Sequence, residues 1–345
     1  MDKIKNLNYD SFSLHRRLIM GVAAILILAC HIASYSTFPK NIFTSLIYDL
    51  NIGVEIFLIM SGIGLYFSLS NKKYRFGDYY LKRILNVYCI YLIITLPDVI
   101  YQDLILSSTN IKQVLFDLTG ISFWLGETKE GWYVHFAMAL YLIYPIIFKI
   151  IKWAEEKKAL LPITALSCAA VIAFCFVSDK KLPDFYSTYE IAIARIPAFL
   201  VGCCLGSLVY NKKPITKKMY FAAALGIIIW FAVRATHKPL IYERFSNILL
   251  SLTICLFIVI LTELIPLKPL VKCLEFFGGI SLETYLVHLA LLRAVKANYG
   301  RISPLKYAIV IAVAVVISYF VAKIRVAIIK GYTKRKDKKE LSKAD

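Results

Sequence analysis

Six ionisable side chains stand where the sequence is otherwise apolar: His31, Glu55, His135, Arg195, Glu283 and His288. The run GVAAILILAC leads into His31, and IFLIMSGIGLYFSL follows Glu55. An ionisable group at bilayer depth costs roughly 2.5–3.5 kcal/mol on insertion scales, so it needs a reason, and the usual reasons are proton movement, a polar ligand or an ion pair. Helical spacing gathers several of them onto polar or small-residue faces. Tyr48, Asn51, Glu55 and Gly62 follow steps of three, four and seven, and Ser281, Tyr285 and His288 form a second stripe. Arg195, Phe199, Gly202 and Gly206 share a third face, where the GxxxG spacing permits close helix contact. Each residue also has a purely structural alternative. His135 and His288 could be interhelical hydrogen-bond partners, Arg195 could snorkel to headgroups, and Glu283 could pair with Arg195.

The elements that must position these groups follow from composition. Of 345 residues, 59% are hydrophobic and 18% charged, against roughly 45–50% and about 25% for soluble domains. The net charge is +19. So oily a chain is not disordered, and its apolar excess argues against a soluble nucleic-acid binder. The eight cysteines all lie in apolar runs without zinc or CxxC spacing, and so read as small buried hydrophobes. Ten stretches are long and apolar enough to span a bilayer, at about 18–38, 46–70, 81–101, 131–151, 159–178, 190–210, 218–235, 244–265, 273–293 and 306–329. The third and ninth are the least pure, each with charge near one end. The first follows Arg16 and Arg17 as a signal peptide would, but its run is too long, and it is expected to be retained.

With the N-terminus inside, the inner loops and tail carry 28 Lys and Arg against 12 in the outer loops. The expectation is therefore an all-α, polytopic membrane helical bundle of about ten transmembrane helices over residues 1–329. Both termini are cytoplasmic, and residues 330–345 form a basic cytoplasmic tail. Counting ~1.5 Å per residue from the segment ends places the six ionisable groups, drawn from five segments, in the outer half or near mid-depth. Convergence there would make a polar cavity open to the extracytoplasmic side. The longest outer loop, about 102–130, is either a linker or a short interfacial helix built on Val114 to Leu125. On the inner face Lys72, Lys73, Arg75, Lys82 and Arg83 cluster. Ordinary positive-inside bias explains the first three, whereas Arg83 stands at the mouth of a span, where a guanidinium can grip a phosphate.

The motifs resemble those of the integral-membrane acyltransferase-3 family, bacterial enzymes that decorate surface glycans. GVAAILILACH, ending at His31, is similar to that family's first helix and its essential histidine. GVEIFLIMSGIGLYFSL (Gly53 to Leu69) resembles its GVDLFFVLSGF signature, with Glu55 at the Asp place. KRILNVY (Lys82 to Tyr88) and WYVHFAMALYLIYP (Trp132 to Pro145) resemble later segments in the same order, as do RIPAFLVGCCLG (Arg195 to Gly206) and GISLETYLVHLALL (Gly279 to Leu292). Three positions depart from the pattern: Met20 where a basic residue precedes the histidine by eleven, Tyr80 in place of the first arginine of an RxxR pair, and Asn86 in place of a proline.

The resemblance implies a membrane-bound acyltransferase of the cell membrane. It would move an acyl group, acetyl as the first expectation, from cytoplasmic acyl-CoA to a hydroxyl of an extracytoplasmic or lipid-linked glycan, with no metal. On this reading His31 is the general base and Glu55 orients it and stabilises its imidazolium. Arg195 or His288 holds the sugar or polarises the carbonyl oxygen. His135 and Glu283 join the acceptor-binding set, Trp132, Tyr133 and Tyr285 offer aromatic faces to a sugar ring, and Lys82 and Arg83 meet the anionic donor. A covalent acyl-histidine route stays open beside direct transfer. The rival from another class is an exporter of a small acid or glycan precursor using the same cavity. Expected partners are the glycan acceptor and the lipid bilayer, with no nucleic acid and a homo-oligomer left open.

Overall fold

The computed structural model describes residues 7–37, 46–70, 76–107, 109–236, 239–265 and 267–341, with side chains through residue 336. Lys72, Lys73 and Arg75 lie outside the described residues. The secondary structure is helical, with only two isolated bridges, Asn8 with Pro214 and Ser36 with Ile302, among the described residues. The principal helices are α1 (Arg16–Tyr35), α2 (Gly53–Ser70), α3 (Phe76–Leu106), α4 (Ile111–Thr119), α5 (Trp132–Glu156) and α6 (Leu160–Lys181). They continue as α7 (Pro183–Tyr210), α8 (Lys217–Ala235), α9 (Leu240–Leu264), α10 (Lys268–Gly279), α11 (Ser281–Tyr299) and α12 (Pro304–Leu341). Nine helices among the described residues have the length and apolarity to cross a membrane. The protein is a polytopic helical membrane protein.

The chain divides into two compact units. The first comprises residues 1–30, 48–73 and 143–279. Its tightest packing is α2 on α7, and glycine is why. A Cβ on Gly62 would stand 2.5 Å from Cys203 N, and the facing Gly202 likewise admits no side chain against Ile59. With hydrophobic surface offering little drive between helices in lipid, this close backbone approach and its dispersion contacts hold the pair. Within α7 the ladder is interrupted between Pro183–Ile193 and Ile196–Tyr210, with Arg195 at the junction. Pro197 suits the first turn of the second segment, because its missing N–H is one the helix start leaves unpaired anyway.

The second unit comprises residues 31–47, 74–142 and 280–345. Its core gathers Ile90, Tyr91, Ile94, Val134, Leu286, Val287 and Ala314 from α3, α5, α11 and α12. Helix α3 contains Pro97 and passes through wide π-type turns at Ile84–Tyr88 and Ile100–Leu106. Such turns often mark functional places in helices. Residues 102–130 are not a bare linker: the first of them complete α3, and short helices follow at Ile111–Thr119 and Ile121–Trp124. Asn110 caps α4 by accepting from Gln113 N at 3.0 Å, and Gly120 at φ 79° ends it.

One expected segment is corrected. The ninth, 273–293, is not a single helix. It is divided at Ile280 between α10 and α11. Gly278 packs against the Arg17 carbonyl of α1 without room for a Cβ, so the chain stops there and starts a new helix. Glu283 therefore falls in the first turn of α11, not half-way along a span. Helix α11 carries Glu283, Arg293 and Lys296 and is not among the nine apolar helices.

Candidate active site

In the second unit, two imidazoles from distant parts of the sequence meet. His31 Nδ1 and His288 Nε2 are 2.8 Å apart, and His288 Nδ1 lies 2.7 Å from the Thr284 carbonyl oxygen. A carbonyl can only accept, so His288 Nδ1 carries the proton and donates it. The neutral ring then presents Nε2 as an acceptor, His31 Nδ1 donates to it, and His31 Nε2 is left with a free lone pair. The chain Thr284–His288–His31 thus fixes a tautomer and turns one nitrogen of His31 into a base. His288 is fully buried, so the orienting group is shielded from competition by water. Tyr35 stands edge-on to His31 with ring centres 6.0 Å apart, and Tyr285 contacts His288 at 6.0 Å.

The same unit holds a cavity of about 360 Å³ walled by α3, α4, α11 and the turn before α5, with neither His31 nor His288 among its lining residues. Helix α11 supplies Tyr285, Leu286, Leu289 and Arg293, which bracket His288 along the helix. Tyr91, Gln102 and Asp103 come from α3, and Gln113 and Asp117 from α4. Arg293 is ion-paired with Asp98 and, at 2.9 Å, with Glu130. His135 forms the side wall's support: its Nε2 is 3.1 Å from Tyr91 Oη, and Tyr91 Oη lies 3.2 Å from the Asp117 carbonyl.

The first unit holds a separate buried pair, Arg195 Nε to Glu55 Oε1 at 3.0 Å. Both side chains are almost wholly buried, and Arg195 Nη1 also donates to the Ile191 carbonyl at 2.6 Å. The helix break in α7 makes this geometry accessible, because Arg195 follows the last turn of one segment and precedes the first turn of the next.

The expected site residues fall out as follows. His31 and His288 come together, and it is His288 that contacts His31 Nδ1 and orients the ring, the part expected of Glu55. Glu55 is engaged by Arg195, and Glu283 pairs with Arg325 rather than Arg195. Tyr285 is on the cavity wall, His135 stands directly behind it, and Trp132 packs on Tyr133 and Phe136 with ring centres at 5.8 and 6.3 Å. Arg83 is held over the rings of Tyr79 and Tyr141 at 5.3 and 5.7 Å, while Lys82 is exposed. Asp98, Asp103, Asp117, Glu130 and Arg293 were not anticipated. Asp98 and Arg293 are the charges near the ends of the third and ninth apolar stretches, and Asp103, Asp117 and Glu130 belong to the acidic, polar stretch 102–130. Among the described residues no three His, Cys, Asp or Glu gather as metal ligands.

The acyltransferase domain of one known family matches residues 18–323 of the chain. No curated protein and no solved structure matches. That match begins in the helix bearing His31 and ends in the last long helix, taking in both histidines of the relay and every wall of the cavity, and so the chain belongs to the acyltransferase-3 family and is a multi-pass membrane acyltransferase.

Proposed function

We propose that the protein transfers an acyl group, acetyl in the first instance, from cytoplasmic acyl-CoA to a hydroxyl of an extracytoplasmic or lipid-linked glycan in the cytoplasmic membrane. The observation that carries this reading is the imidazole relay, which leaves His31 Nε2 unprotonated inside a chain of acyltransferase ancestry. Nε2 takes the acceptor hydroxyl's proton as that oxygen attacks the thioester carbonyl. The new C–O bond forms, the C–S bond breaks, and the imidazolium returns its proton to the departing CoA thiolate. The Nδ1–H bond to His288 strengthens as charge develops on His31, so it favours the transition state over the ground state. The cavity in the same unit, with its hydroxyl, amide and carboxylate lining, receives the sugar. Arg83, with Lys82 beside it, meets the donor's phosphates, its guanidinium already oriented by the two tyrosine rings. Glu55 and Arg195 hold α2 and α7 in register as a neutralised pair.

Membranes containing the wild-type protein and given labelled acetyl-CoA are expected to incorporate label into a glycan or lipid-linked saccharide. His31→Ala should abolish incorporation at unchanged protein abundance. Label transfer at the wild-type rate by the variant would overturn the assignment of the base. Export of an unlabelled precursor with no CoA dependence would favour the transporter.

A further inference from the structure

The cavity's walls have a charge imbalance that bears on which acceptor enters. Its one cation, Arg293, is engaged by two carboxylates, Asp98 behind the wall and Glu130 on it. Asp103 and Asp117 face the same space with no cation among the lining residues left to offset them. On this wall the Asp103 carboxyl lies against that of Asp117, and the Gln102 amide approaches Asp98, so two acidic groups crowd one side of the cavity. The volume of about 360 Å³ falls within the ~300–1,000 Å³ usual for small-molecule sites.

Resting on the function proposed above, we infer that this cavity accepts a neutral or amine-bearing sugar and rejects one carrying a carboxylate. Hydroxyls of a neutral ring donate to Asp103, Asp117 and Glu130 and accept from the Gln102 amide. An ammonium group gains further from the acidic wall. A carboxylate on the same ring meets like charge in a space partly shielded from solvent, and none of the lining carboxylates can follow it out. Selection of this kind works by repulsion of the wrong partner as much as by attraction of the right one.

Three matched probes test it: p-nitrophenyl β-D-glucoside, the corresponding glucosaminide and the corresponding glucuronide, titrated against the full-length protein in detergent by ligand-observed NMR. The glucoside and glucosaminide should bind, and the glucuronide should bind at least tenfold more weakly. Asp103→Asn with Asp117→Asn should narrow that gap at least threefold. In the wild type the gap should also narrow on raising salt from about 0.01 M to about 1 M, since the screening length drops from ~30 to ~3 Å. Equal affinity for glucoside and glucuronide, a gap indifferent to both salt and the double substitution, or binding of none of the three would overturn the inference. The proposed reaction is judged separately, by CoA-dependent labelling in native membranes. Labelling that persists while the probes fail to discriminate removes the charge selectivity alone, whereas loss of labelling removes the reaction itself.

Discussion

Replacing His288 tests the relay without touching the base. In His288→Ala the Nδ1–H of His31 loses the acceptor that stands 2.8 Å away, and nothing then holds the ring in the tautomer that frees Nε2. A neutral hydrogen bond contributes about 0.5–1.5 kcal/mol net, and one to a charged group about 1.5–3 kcal/mol. The bond matters most when His31 has become an imidazolium, so the larger range applies to the transition state. At ~1.36 kcal/mol per decade, turnover should fall roughly 10- to 150-fold. The acceptor KM should change by less than about twofold, because this bond is remote from the sugar and strengthens only as charge develops. His288→Gln places an amide oxygen near the former Nε2 position and should recover a substantial part of the loss. The assay is initial-rate transfer from labelled acetyl-CoA in membranes matched for protein content. Wild-type turnover in His288→Ala, or an equal loss in the Gln and Ala variants with protein levels maintained, would refute the idea that His288 sets the state of His31.

Two further outcomes follow from the packing. Glu55→Leu alone strands the Arg195 guanidinium in a buried site and should cost about 3–5 kcal/mol, read as loss of folded protein by fluorescence-detected gel filtration; Glu55→Leu with Arg195→Met should regain abundance, since removing both charges removes the stranded one. Gly120→Ala combines a positive φ of 79° with a Cβ that would collide with the His135 ring, so it should destabilise by about 2–3 kcal/mol through backbone strain and loss of the His135–Tyr91 bond. Gly300→Ala, at φ 66° and ψ −143° with nothing within 4 Å of a Cβ, should show backbone strain alone, about 1–3 kcal/mol, read as a lowered thermal transition with the His135–Tyr91 contact untouched.

The helical membrane class was legible because length and hydropathy alone decide it: a run of twenty apolar residues has few other uses. The first histidine was legible for a related reason, since an imidazole after GVAAILILAC has no polar neighbour to explain it. What could not be read was pairing. His31 and His288 are 257 positions apart, and nothing local in either segment points to the other. The same holds for Asp98 with Arg293. Each made its stretch less apolar, and in the fold they turn out to offset one another. The break at Ile280 escaped because Gly278 and Gly279 read as ordinary small residues of an apolar run. Only the carbonyl of Arg17 lying against Gly278 shows that the backbone there is pinned. A polar cavity was legible from the intramembrane charges, but not the wall of this one, which comes from the 102–130 stretch, where a linker and a short helix read equally well; Asn110 and Gly120 close the two ends of α4.

Partnership also decides which ionisable group can act. Among the described residues, Glu55 is held by Arg195, Glu283 by Arg325 and Asp98 by Arg293. For any of these carboxylates to take a proton, it must leave its guanidinium behind as an unbalanced buried cation, and that penalty is several kcal/mol. The His31–His288 pair is different in kind. Both rings are neutral in the resting relay, so His31 can gain a proton without abandoning a partner, and His288 remains in place to accept the stronger bond that results. His135 lacks this arrangement, because its Nε2 faces the Tyr91 hydroxyl and Gly120 closes over its Nδ1 edge, leaving no approach for a substrate hydroxyl. A membrane interior therefore sorts its polar groups by the consequence of changing their charge: ion pairs brace the helices, whereas a neutral imidazole chain can gain a proton without stranding a partner.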